Sequence, residues 1–288
     1  MKIIRPIRSI ARRLISIFRD NVSVNVVNIG FNEILKDQVI LLTGSTGGLG
    51  QEFAQAFLKA GAKLILCARN TNKLTDLKER LINADSSYEE RIHTLIFNVN
   101  DINQYERVFS EAIAFYGHID SLINNAGVIG ASIPQAKPDD YDNIMSTNLR
   151  SAFFLSQIAI KYFRDNNIMG HILNIASSSS IRPAFSAYSL SKWGIRGLTL
   201  GLAKLGAPYG ITVNAIAPGP TATPMLGKKD SQDLSLPFSP IGRYIHPVEI
   251  ANMAVVLISS CGRSIIGDVI YMTGGAGTIT FDDDEIVF

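Results

Sequence analysis

A tyrosine and a lysine four positions apart are residues whose types and spacing could do chemistry. Tyr188 and Lys192 lie in "SAYSLSKWGIRGLT" (186–199), a stretch otherwise rich in small and aliphatic residues. In a helix, residues four apart share a face, so the ammonium and the phenol can influence each other's proton affinity. A phenol with a shifted pKa can donate or accept a proton in a reaction. Solvated surface pairs have the same spacing, so the interpretation depends on the elements that position this pair.

Short apolar runs alternate with longer amphipathic stretches from Gln38 onward. The short runs predict seven buried strands, and the longer stretches predict the helices between them. Continuous apolar strands separated by helices indicate a parallel sheet covered on both faces, so we expect an α/β fold with one doubly wound, Rossmann-type domain. The predicted strands are 38–43, 62–68, 92–99, 119–126, 170–176, 211–217 and 267–275, and the predicted helices include 49–60, 102–116, 141–165, 187–207 and 247–260.

The composition argues against several classes of protein. Of the 288 residues, 47% are hydrophobic and 18% are charged, which is typical of a globular protein and not of a disordered one. A net charge of +2 gives no electrostatic case for nucleic acid. Cys67 and Cys261 lie far apart, so we expect no disulfide framework and a cytoplasmic location. None of the four histidines has a His or Cys at metal-ligand spacing, so we expect no metal site.

The two ends of the chain differ in charge from the rest. Residues 1–19 carry basic but no acidic side chains, and isoleucine and leucine recur there at three- and four-residue steps. This pattern predicts a basic amphipathic helix in an N-terminal extension, 1–35, that packs on its own domain or a sister subunit, contacts a membrane surface, or acts as a presequence. We expect the catalytic domain over 36–276 and an acidic C-terminal tail over 277–288.

A glycine-rich turn follows the first predicted strand. "TGSTGGLG" (43–50) places Gly44, Gly48 and Gly50 between that strand and a helix. Glycines at such a position permit a tight turn and let main-chain N–H groups approach a pyrophosphate at the amino end of the helix. The strand–turn–helix context therefore predicts a dinucleotide site, although a tight turn without a ligand has the same local pattern.

Three motifs together resemble the short-chain dehydrogenase/reductase family. They are T-G-x-x-x-G-x-G from Thr43, "NNAG" at 124–127 and Y-x-x-x-K at 188–192, and the likeness extends from about Gln38 to Thr273. The resemblance implies an NAD(P)(H)-dependent oxidoreductase that interconverts a ketone and a secondary alcohol. It also implies a set of cofactor-binding residues: Gly44, Ser45, Thr46, Gly48, Leu49, Gly50, Arg69, Asn98, Val99, Asn125, Ala126, Gly127, Tyr188, Lys192, Pro218, Gly219, Thr221 and Thr223.

The end of the second strand bears on the choice between the two nicotinamide cofactors. Relatives that prefer NAD usually carry an acidic residue there to bind the ribose 2′-hydroxyl, whereas a 2′-phosphate needs positive charge. This chain has Ala68 at that place and Arg69 after it, so we expect NADP(H) to be preferred. Asn98 stands where relatives commonly have Asp, a departure that affects the expected adenine contact and not the fold.

The resemblance implies four catalytic residues. Tyr188 would be the proton donor to the carbonyl oxygen, and Lys192 would lower the pKa of its phenol and bond the nicotinamide ribose. Asn148 would help to hold a water for proton relay. Ser177 fits the family serine that polarises the carbonyl, counted from the end of the fifth strand. The segment to Tyr188 is shorter than usual, so Ser178 and Ser179 stay open as alternatives.

Several substrates are compatible with this interpretation. A 3-oxoacyl thioester, a steroid, a sugar or a small ketone would each fit, with specificity expected from 220–243 and 129–138. We also expect a homo-oligomer that packs through the long helices. A rival hypothesis is a nucleotide-binding regulatory protein on the same fold without turnover.

Overall fold

A parallel sheet forms the centre of the computed structural model, which describes residues 33–227, 233–237 and 239–279. Its seven strands have the spatial order β3-β2-β1-β4-β5-β6-β7, and each predicted run contributes one strand. The predicted doubly wound, Rossmann-type fold is confirmed. The strands are β1 Val39–Thr43, β2 Lys63–Ala68, β3 Ile92–Ile96, β4 Ser121–Asn124, β5 His171–Ile175, β6 Thr212–Pro218 and β7 Val269–Met272.

Most strands are shorter than the predicted apolar runs: β1 and β2 begin one residue later, β3 ends three residues earlier, and β4, β5 and β7 are shorter at both ends. All residues of β1, β5 and β6 are buried, which explains their continuous apolar character. The direction in which strands are added reverses between β3 and β4, so β1 and β4 pair at the centre of the sheet. In sheets of this kind a ligand binds at that reversal, beyond the carboxyl ends of the strands.

Helices cover both faces of the sheet. Three of them pack on one face with a core that includes Leu42, Phe53 and Val255, and three pack on the other with a core that includes Leu41, Phe109 and Leu155. The first group is α1 Gly48–Lys59, α2 Thr71–Ala84 and α7 Pro247–Leu257, the second is α3 Tyr105–Tyr116, α5 Ser151–Asp165 and α6 Ala187–Gly206, and α4 Pro138–Met145 precedes α5. Short 3₁₀ turns lie at Ser86–Arg91, Ile102–Gln104, Ile133–Gln135, Ser178–Ile181, Ala207–Tyr209, Pro224–Leu226 and Ser260–Gly262.

The predicted helix over 141–165 is divided in the structure. A single π-helical turn, Ser146–Arg150, separates α4 from α5. It holds Asn148, whose side chain leaves its own helix to bond a loop after β4. Wide turns of this kind occur often at functional sites, so the division is relevant to the site described below.

The predictions for the two ends fall mostly outside the described residues. Residues 1–32 and 280–288 are not described, so the basic helix and the acidic tail stay predictions. At the start of the described chain, Leu35 is fully buried and its N–H bonds the Ala60 carbonyl at 2.8 Å, so the core already includes this residue. Among the described residues, no helix has the length and apolar character needed to cross a membrane.

Candidate active site

A cavity of about 460 Å³ lies at the carboxyl ends of the strands. Its wall comes from the segments that follow β1 to β6, together with the start of α1 and parts of α6. Both the glycine turn and the Tyr188–Lys192 pair contribute to this wall. The two features singled out in the sequence therefore meet in one cavity, although nearly 140 positions separate them.

At the glycine turn the main chain itself borders the cavity, and a side chain would not fit at two of its positions. Gly44 has a φ of +64°, a conformation that favours glycine, and a Cβ there would lie 2.8 Å from the Ala126 Cα. A Cβ at Gly50 would lie 2.3 Å from the Gly44 carbonyl oxygen. Gly47 precedes α1, and within the described chain no side chain caps that helix end. The first main-chain N–H groups of α1 can therefore bind an anion.

The hydroxyl of Thr43 joins this turn to the loop after β4. Thr43 Oγ donates to the Ile123 carbonyl at 3.0 Å and accepts from the N–H groups of Asn125 and Ala126 at 3.0 and 3.2 Å. The Asn125 side-chain amide in turn donates to the carbonyls of Thr43 and Gly44. These bonds fix the predicted ribose-binding residues against the glycine turn.

Tyr188 and a serine that follows β5 line the same cavity. Ser186 caps the amino end of α6, which places Tyr188 in the first turn of that helix. Ser177 lies on the cavity wall, and hydrogen bonding by its hydroxyl acts to lower the pKa of the Tyr188 phenol. Ser177 also accepts from the Ser179 N–H at 3.1 Å, and Ser180 donates to the Ser177 carbonyl at 2.7 Å. Ser178 and Ser179 line the same wall, but Ser177 is the serine whose hydrogen bonding affects the pKa of the phenol.

Burial raises the pKa of Tyr188, and the hydrogen bond from Ser177 offsets only part of that rise. The pKa of this phenol is therefore raised in the structure and not lowered as expected, and the contribution of Lys192 itself stays a prediction. The physical reason is that the phenol lies largely out of water, and removal from water disfavours its charged form. A raised pKa keeps the hydroxyl protonated near neutral pH.

Lys192 is buried beside the phenol and held by the end of β5. Its Nζ donates to the Ile175 carbonyl at 2.7 Å and lies 5.7 Å from the centre of the Tyr188 ring. Burial lowers the pKa of Lys192 to about 8. A Cβ placed on Gly127 would be 3.8 Å from this Nζ, so the loop after β4 comes close to the amine. Lysine, phenol and glycine loop are thus neighbours in one cavity.

Asn148 lies behind this group. Its Oδ1 accepts from the Val128 N–H at 2.8 Å, and its Nδ2 donates to the Val128 carbonyl at 2.9 Å and to the Ser191 hydroxyl at 3.0 Å. The Ser191 hydroxyl donates to the Tyr188 carbonyl at 2.6 Å. The side chain of Asn148 therefore connects the loop after β4 to α6, and does not bond back within its own turn.

Three predicted site residues lie outside the described cavity wall. Ser45 is buried, and its hydroxyl donates to the Cys67 carbonyl at 3.2 Å. Asn98 accepts from the Asn100 N–H at 3.2 Å and faces a neighbouring groove. Asn148 is the third. The predicted residues that do line the cavity are Gly44, Thr46, Gly48, Leu49, Gly50, Arg69, Val99, Asn125, Ala126, Gly127, Ser177, Tyr188, Lys192, Pro218, Gly219, Thr221 and Thr223.

Sequence reasoning did not single out every residue of the wall. Gly47 lies inside the glycine stretch, so its neighbours could have indicated it. Arg182 is a lone arginine close before Tyr188, which is a weak signal. Met225 and Leu226 lie within 220–243, where specificity was expected, and both line the cavity, whereas Thr147 lies beside Asn148 and was not singled out. Part of the predicted specificity segment, 228–232 and 238, is not among the described residues.

The cavity fits a dinucleotide better than it fits a metal. The turn at Gly44 and Gly50 leaves a cradle that a Cβ would fill, and a helix begins there without a side-chain cap in the described chain. The oxygens of a phosphate group can accept hydrogen bonds from such N–H groups. Within the described residues, no group of three His, Cys, Asp or Glu side chains is arranged to hold a metal ion.

Known proteins share these features. The family model described as short chain dehydrogenase matches residues 38–234. A 3-oxoacyl-[acyl-carrier-protein] reductase of Thermotoga maritima is 31% identical over 247 residues, covering 84% of this chain and 98% of the relative. Among solved structures, a levodione reductase has a TM-score of 0.78 at 28% identity and covers 85% of this chain and 99% of its own. An actinorhodin polyketide ketoreductase with NADPH has a TM-score of 0.76 at 28% identity, covering 84% and 98%.

The match to the family model covers more than half of the chain, and it includes the glycine turn, the loop after β4 and the Tyr188–Lys192 pair. Relatives in this family use a nicotinamide dinucleotide and act on alcohol and carbonyl groups. The chain therefore belongs to the short chain dehydrogenase family of oxidoreductases.

Proposed function

We propose that this protein uses NADP(H), in preference to NAD(H), to interconvert a ketone and a secondary alcohol. The observation that carries the proposal is that Ser177, Tyr188 and Lys192 line one cavity, with the buried Lys192 amine 5.7 Å from the centre of the Tyr188 ring. This arrangement presents two hydroxyl groups at one place where a carbonyl oxygen could accept a hydrogen bond from each.

In this proposal each side chain has one task. When bound, the reduced nicotinamide supplies a hydride to the carbonyl carbon. Tyr188 Oη donates its proton to the carbonyl oxygen, and Ser177 holds that oxygen in place. The raised pKa of Tyr188 keeps that proton on the phenol until the oxygen becomes basic. In the oxidation direction, the positive charge of an oxidised nicotinamide would favour the phenolate.

The remaining residues would bind or position. Gly44, Thr46 and Gly48 would hold the pyrophosphate at the start of α1, and Asn125 would support the adenosine ribose. Pro218, Gly219, Thr221 and Thr223 follow β6 on the same wall and would meet the nicotinamide amide. Asn148 joins α6 to the loop at Val128, so we assign it a positioning role behind Lys192.

Removal of the Tyr188 hydroxyl tests the reaction. We expect Tyr188→Phe to reduce kcat/KM for NADPH-dependent ketone reduction by about 100- to 10,000-fold, because the proton donor is lost. The measurement is the decrease in NADPH absorbance with a panel of 3-oxoacyl thioesters, steroids, sugars and small ketones. NADPH should still bind, since the glycine turn is unchanged.

A matched variant controls for nonspecific effects. Tyr209→Phe removes a hydroxyl from an exposed tyrosine after α6 and should leave turnover unchanged. If Tyr188→Phe retained full turnover, the proposed mechanism would be excluded. If NADPH bound tightly and no ketone or alcohol reacted, the chain would be a nucleotide-binding protein without this activity.

Arg69 supports the proposed cofactor preference. It lines the cavity directly after β2, where Ala68 leaves no carboxylate to repel a phosphate. We expect Arg69→Ala to lower kcat/KM for NADPH by about 10- to 100-fold and to change the value for NADH by less than about threefold, since only NADPH carries the 2′-phosphate. Equal effects on both cofactors would assign Arg69 a general role and contradict the preference.

The expected partners and location also remain proposals. Proteins of this family are commonly oligomeric. Exposed apolar side chains on α5 and α6 support a homo-oligomer here, among them Phe153 at 47% exposure and Leu200 at 51%. A cytoplasmic location is supported only by the two distant cysteines. Membrane contact through residues 1–19 is supported only by their basic amphipathic pattern.

A further inference from the structure

Ser180 lies behind the serine that the proposed function places at the carbonyl. Its side chain is fully buried, whereas Ser177, Ser178 and Ser179 line the cavity. The Ser180 hydroxyl donates to the Ser177 carbonyl at 2.7 Å, and the Ser180 N–H donates to the same oxygen at 3.0 Å. Ser180 is not among the residues that line the described cavity. It therefore acts on Ser177 from behind the cavity wall.

A tyrosine on β7 makes a second bond to this serine. Tyr271 Oη lies 3.2 Å from Ser180 Oγ. A serine hydroxyl has one proton, and Ser180 donates its proton to the Ser177 carbonyl. The Tyr271 hydroxyl is therefore the donor in the bond to Ser180. Two hydrogen bonds in series thus lead from β7 to the main chain of Ser177.

The position of Tyr271 is fixed by the end of the sheet. Its half-buried ring packs against a cluster of buried residues that includes Ala176, the residue before Ser177. In the parallel ladder, Tyr271 is opposite Ala217 of β6. One residue further on, the Met272 carbonyl accepts from the N–H of residue 219 at 3.0 Å, and that residue lines the cavity. The end of β7 therefore supports two parts of the cavity wall, although β7 itself lies at the edge of the sheet.

We propose that Ser180 and Tyr271 are positioning residues for the reaction, and that their two bonds set the direction of the Ser177 hydroxyl in the cavity. Ser177 Oγ accepts from the Ser179 N–H within the same turn, so its direction follows that of the turn. The bond from Tyr271 ties this turn to β7. A misplacement of about 1 Å at a reacting group can reduce the rate by about 100-fold, so a hydroxyl that holds a carbonyl oxygen needs such support. This inference rests on the proposed function, which gives Ser177 its contact with the carbonyl.

Steady-state kinetics of single variants test the inference first. NADPH oxidation is measured for the full-length wild-type protein, Ser180→Ala, Tyr271→Phe and Ser177→Ala, with the ketone of the panel above that reacts fastest. We expect Ser180→Ala to reduce kcat by about 10- to 100-fold, because the Ser177 hydroxyl loses its direction. Tyr271→Phe should cause a smaller loss, since Ser180 keeps its own bond to the Ser177 carbonyl. KM for NADPH should stay as in the wild type in both variants, because the glycine turn is unchanged.

A double variant distinguishes positioning from a merely structural role. If Ser180 acts through the Ser177 hydroxyl, its loss has no effect on kcat once that hydroxyl is gone. The variant that combines Ser177→Ala with Ser180→Ala should therefore have a kcat within about twofold of Ser177→Ala. If the two losses instead multiplied, Ser180 would support the fold in general and the inference would be wrong. Tyr271→Phe is combined with Ser177→Ala in the same way, so the inference can be judged even if Ser180→Ala does not fold.

Two matched variants remove similar hydroxyls elsewhere in the chain. Ser259→Ala removes a buried hydroxyl that donates to the Val256 carbonyl at 2.8 Å, three residues earlier, which is the spacing found at Ser180. Tyr116→Phe removes a tyrosine hydroxyl that donates to the Glu90 carbonyl at 3.3 Å. Neither Ser259 nor Tyr116 is on the described cavity wall. Both variants should keep the wild-type kcat, and a loss as large as that in Ser180→Ala would contradict the inference.

A spectroscopic measurement tests the inference without turnover. In protein labelled with carbon-13 at tyrosine Cζ, the signal of Tyr188, assigned with Tyr188→Phe, reports the hydrogen bonding of its hydroxyl. We expect Ser177→Ala and Ser180→Ala to move this signal in the same direction, since hydrogen bonding by Ser177 affects the phenol. Ser259→Ala should leave it in place. An unmoved signal in Ser180→Ala would overturn the inference. If the signal moved as expected but no ketone or alcohol reacted, the proposed function alone would fail.

Discussion

At the scale of single residues, the hydroxyl of Thr43 has a role that its position in the sequence does not reveal. It bonds the Ile123 carbonyl and two N–H groups on the loop after β4, and those partners lie about 80 positions away along the chain. The residue is almost fully buried. Loss of the oxygen would leave buried polar groups without partners, which costs more than an exposed hydrogen bond gives.

We expect Thr43→Val to lower the free energy of unfolding by about 1 to 3 kcal/mol, because the isosteric side chain cannot accept from Ala126 N–H. KM for NADPH should rise as well, since Asn125 and Ala126 line the cavity. Chemical denaturation and steady-state kinetics measure the two effects.

Thr43→Ser, which keeps the oxygen, should retain most of the stability. Thr75→Val is the control for loss of a hydroxyl, since Thr75 is exposed on α2 and bonds only the Thr71 carbonyl one turn earlier. A Thr43→Val variant as stable as wild type would mean that water or a shift of the loop replaces these bonds.

The same scale shows where sequence reasoning about Tyr188 was sufficient and where it was not. The spacing to Lys192 and the preceding motifs indicated which phenol to consider, and the structure brings both residues to the cavity. The direction of the pKa shift depended on how much water reaches the phenol and on where the amine points. Neither can be derived from spacing, since Lys192 bonds the Ile175 carbonyl.

At the scale of elements, β5 begins with a histidine. It lies at the amino end of the strand, and the cavity lies at the carboxyl ends. His171 is buried, and its Nδ1 lies 2.7 Å from Thr212 Oγ on β6. In the described chain its Nε2 has no hydrogen-bond partner. Burial, and to a lesser extent the positive charge of Arg263, lowers the pKa of His171 to about 3. The folded β5–β6 pair therefore requires a neutral imidazole.

This requirement makes stability depend on pH. The unfolded chain has an ordinary histidine pKa of about 6.5, so between about pH 6.5 and pH 3 it binds a proton that the folded chain does not. The contribution of His171 to the free energy of unfolding is fully present above about pH 6.5. It is lost as the pH falls, and the loss is about 2 kcal/mol at pH 5.

Chemical denaturation of wild type and His171→Asn at pH 7.5 and pH 5 measures how much His171 contributes to the pH dependence of stability. The variant should lose less stability between the two values than wild type, whatever its absolute stability. His118→Gln, at a partly exposed histidine, should keep the wild-type dependence. The same pH dependence in wild type and His171→Asn would exclude His171 as the cause.

The division between α4 and α5 is another feature of elements that the sequence does not predict. The apolar spacing over 141–165 is compatible with one continuous helix. The π-helical turn Ser146–Arg150 interrupts it, and there the side chain of Asn148 bonds Val128 and Ser191 instead of its own helix. Those partners come from two other parts of the chain, so local propensity contains no information about them.

At the scale of the whole molecule, alternating apolar runs were enough to predict seven strands and a doubly wound sheet. Each strand is indicated by a short continuous apolar run and each helix by a longer pattern of period 3.6, both of which a single sequence contains. The meeting of Arg182, Trp193 and Gly277 is not local, because β7 must first pair with β6. For this reason the glycine turn and Tyr188 were predictable, whereas contacts between distant segments were not.

Basic side chains on the described cavity wall, among them Arg69 and Lys192, have a consequence for the rate at which ligands leave. A cavity that attracts an anionic dinucleotide also holds it after the reaction. We therefore expect release of the oxidised cofactor to limit kcat. Moderate salt screens such attraction over about 8 Å at 0.15 M. Turnover at saturating ligand concentrations should then accelerate with added potassium chloride and slow with added glycerol, as measured by stopped-flow fluorescence of NADPH. If kcat changed with neither potassium chloride nor glycerol, the rate-limiting step would come before release of the oxidised cofactor.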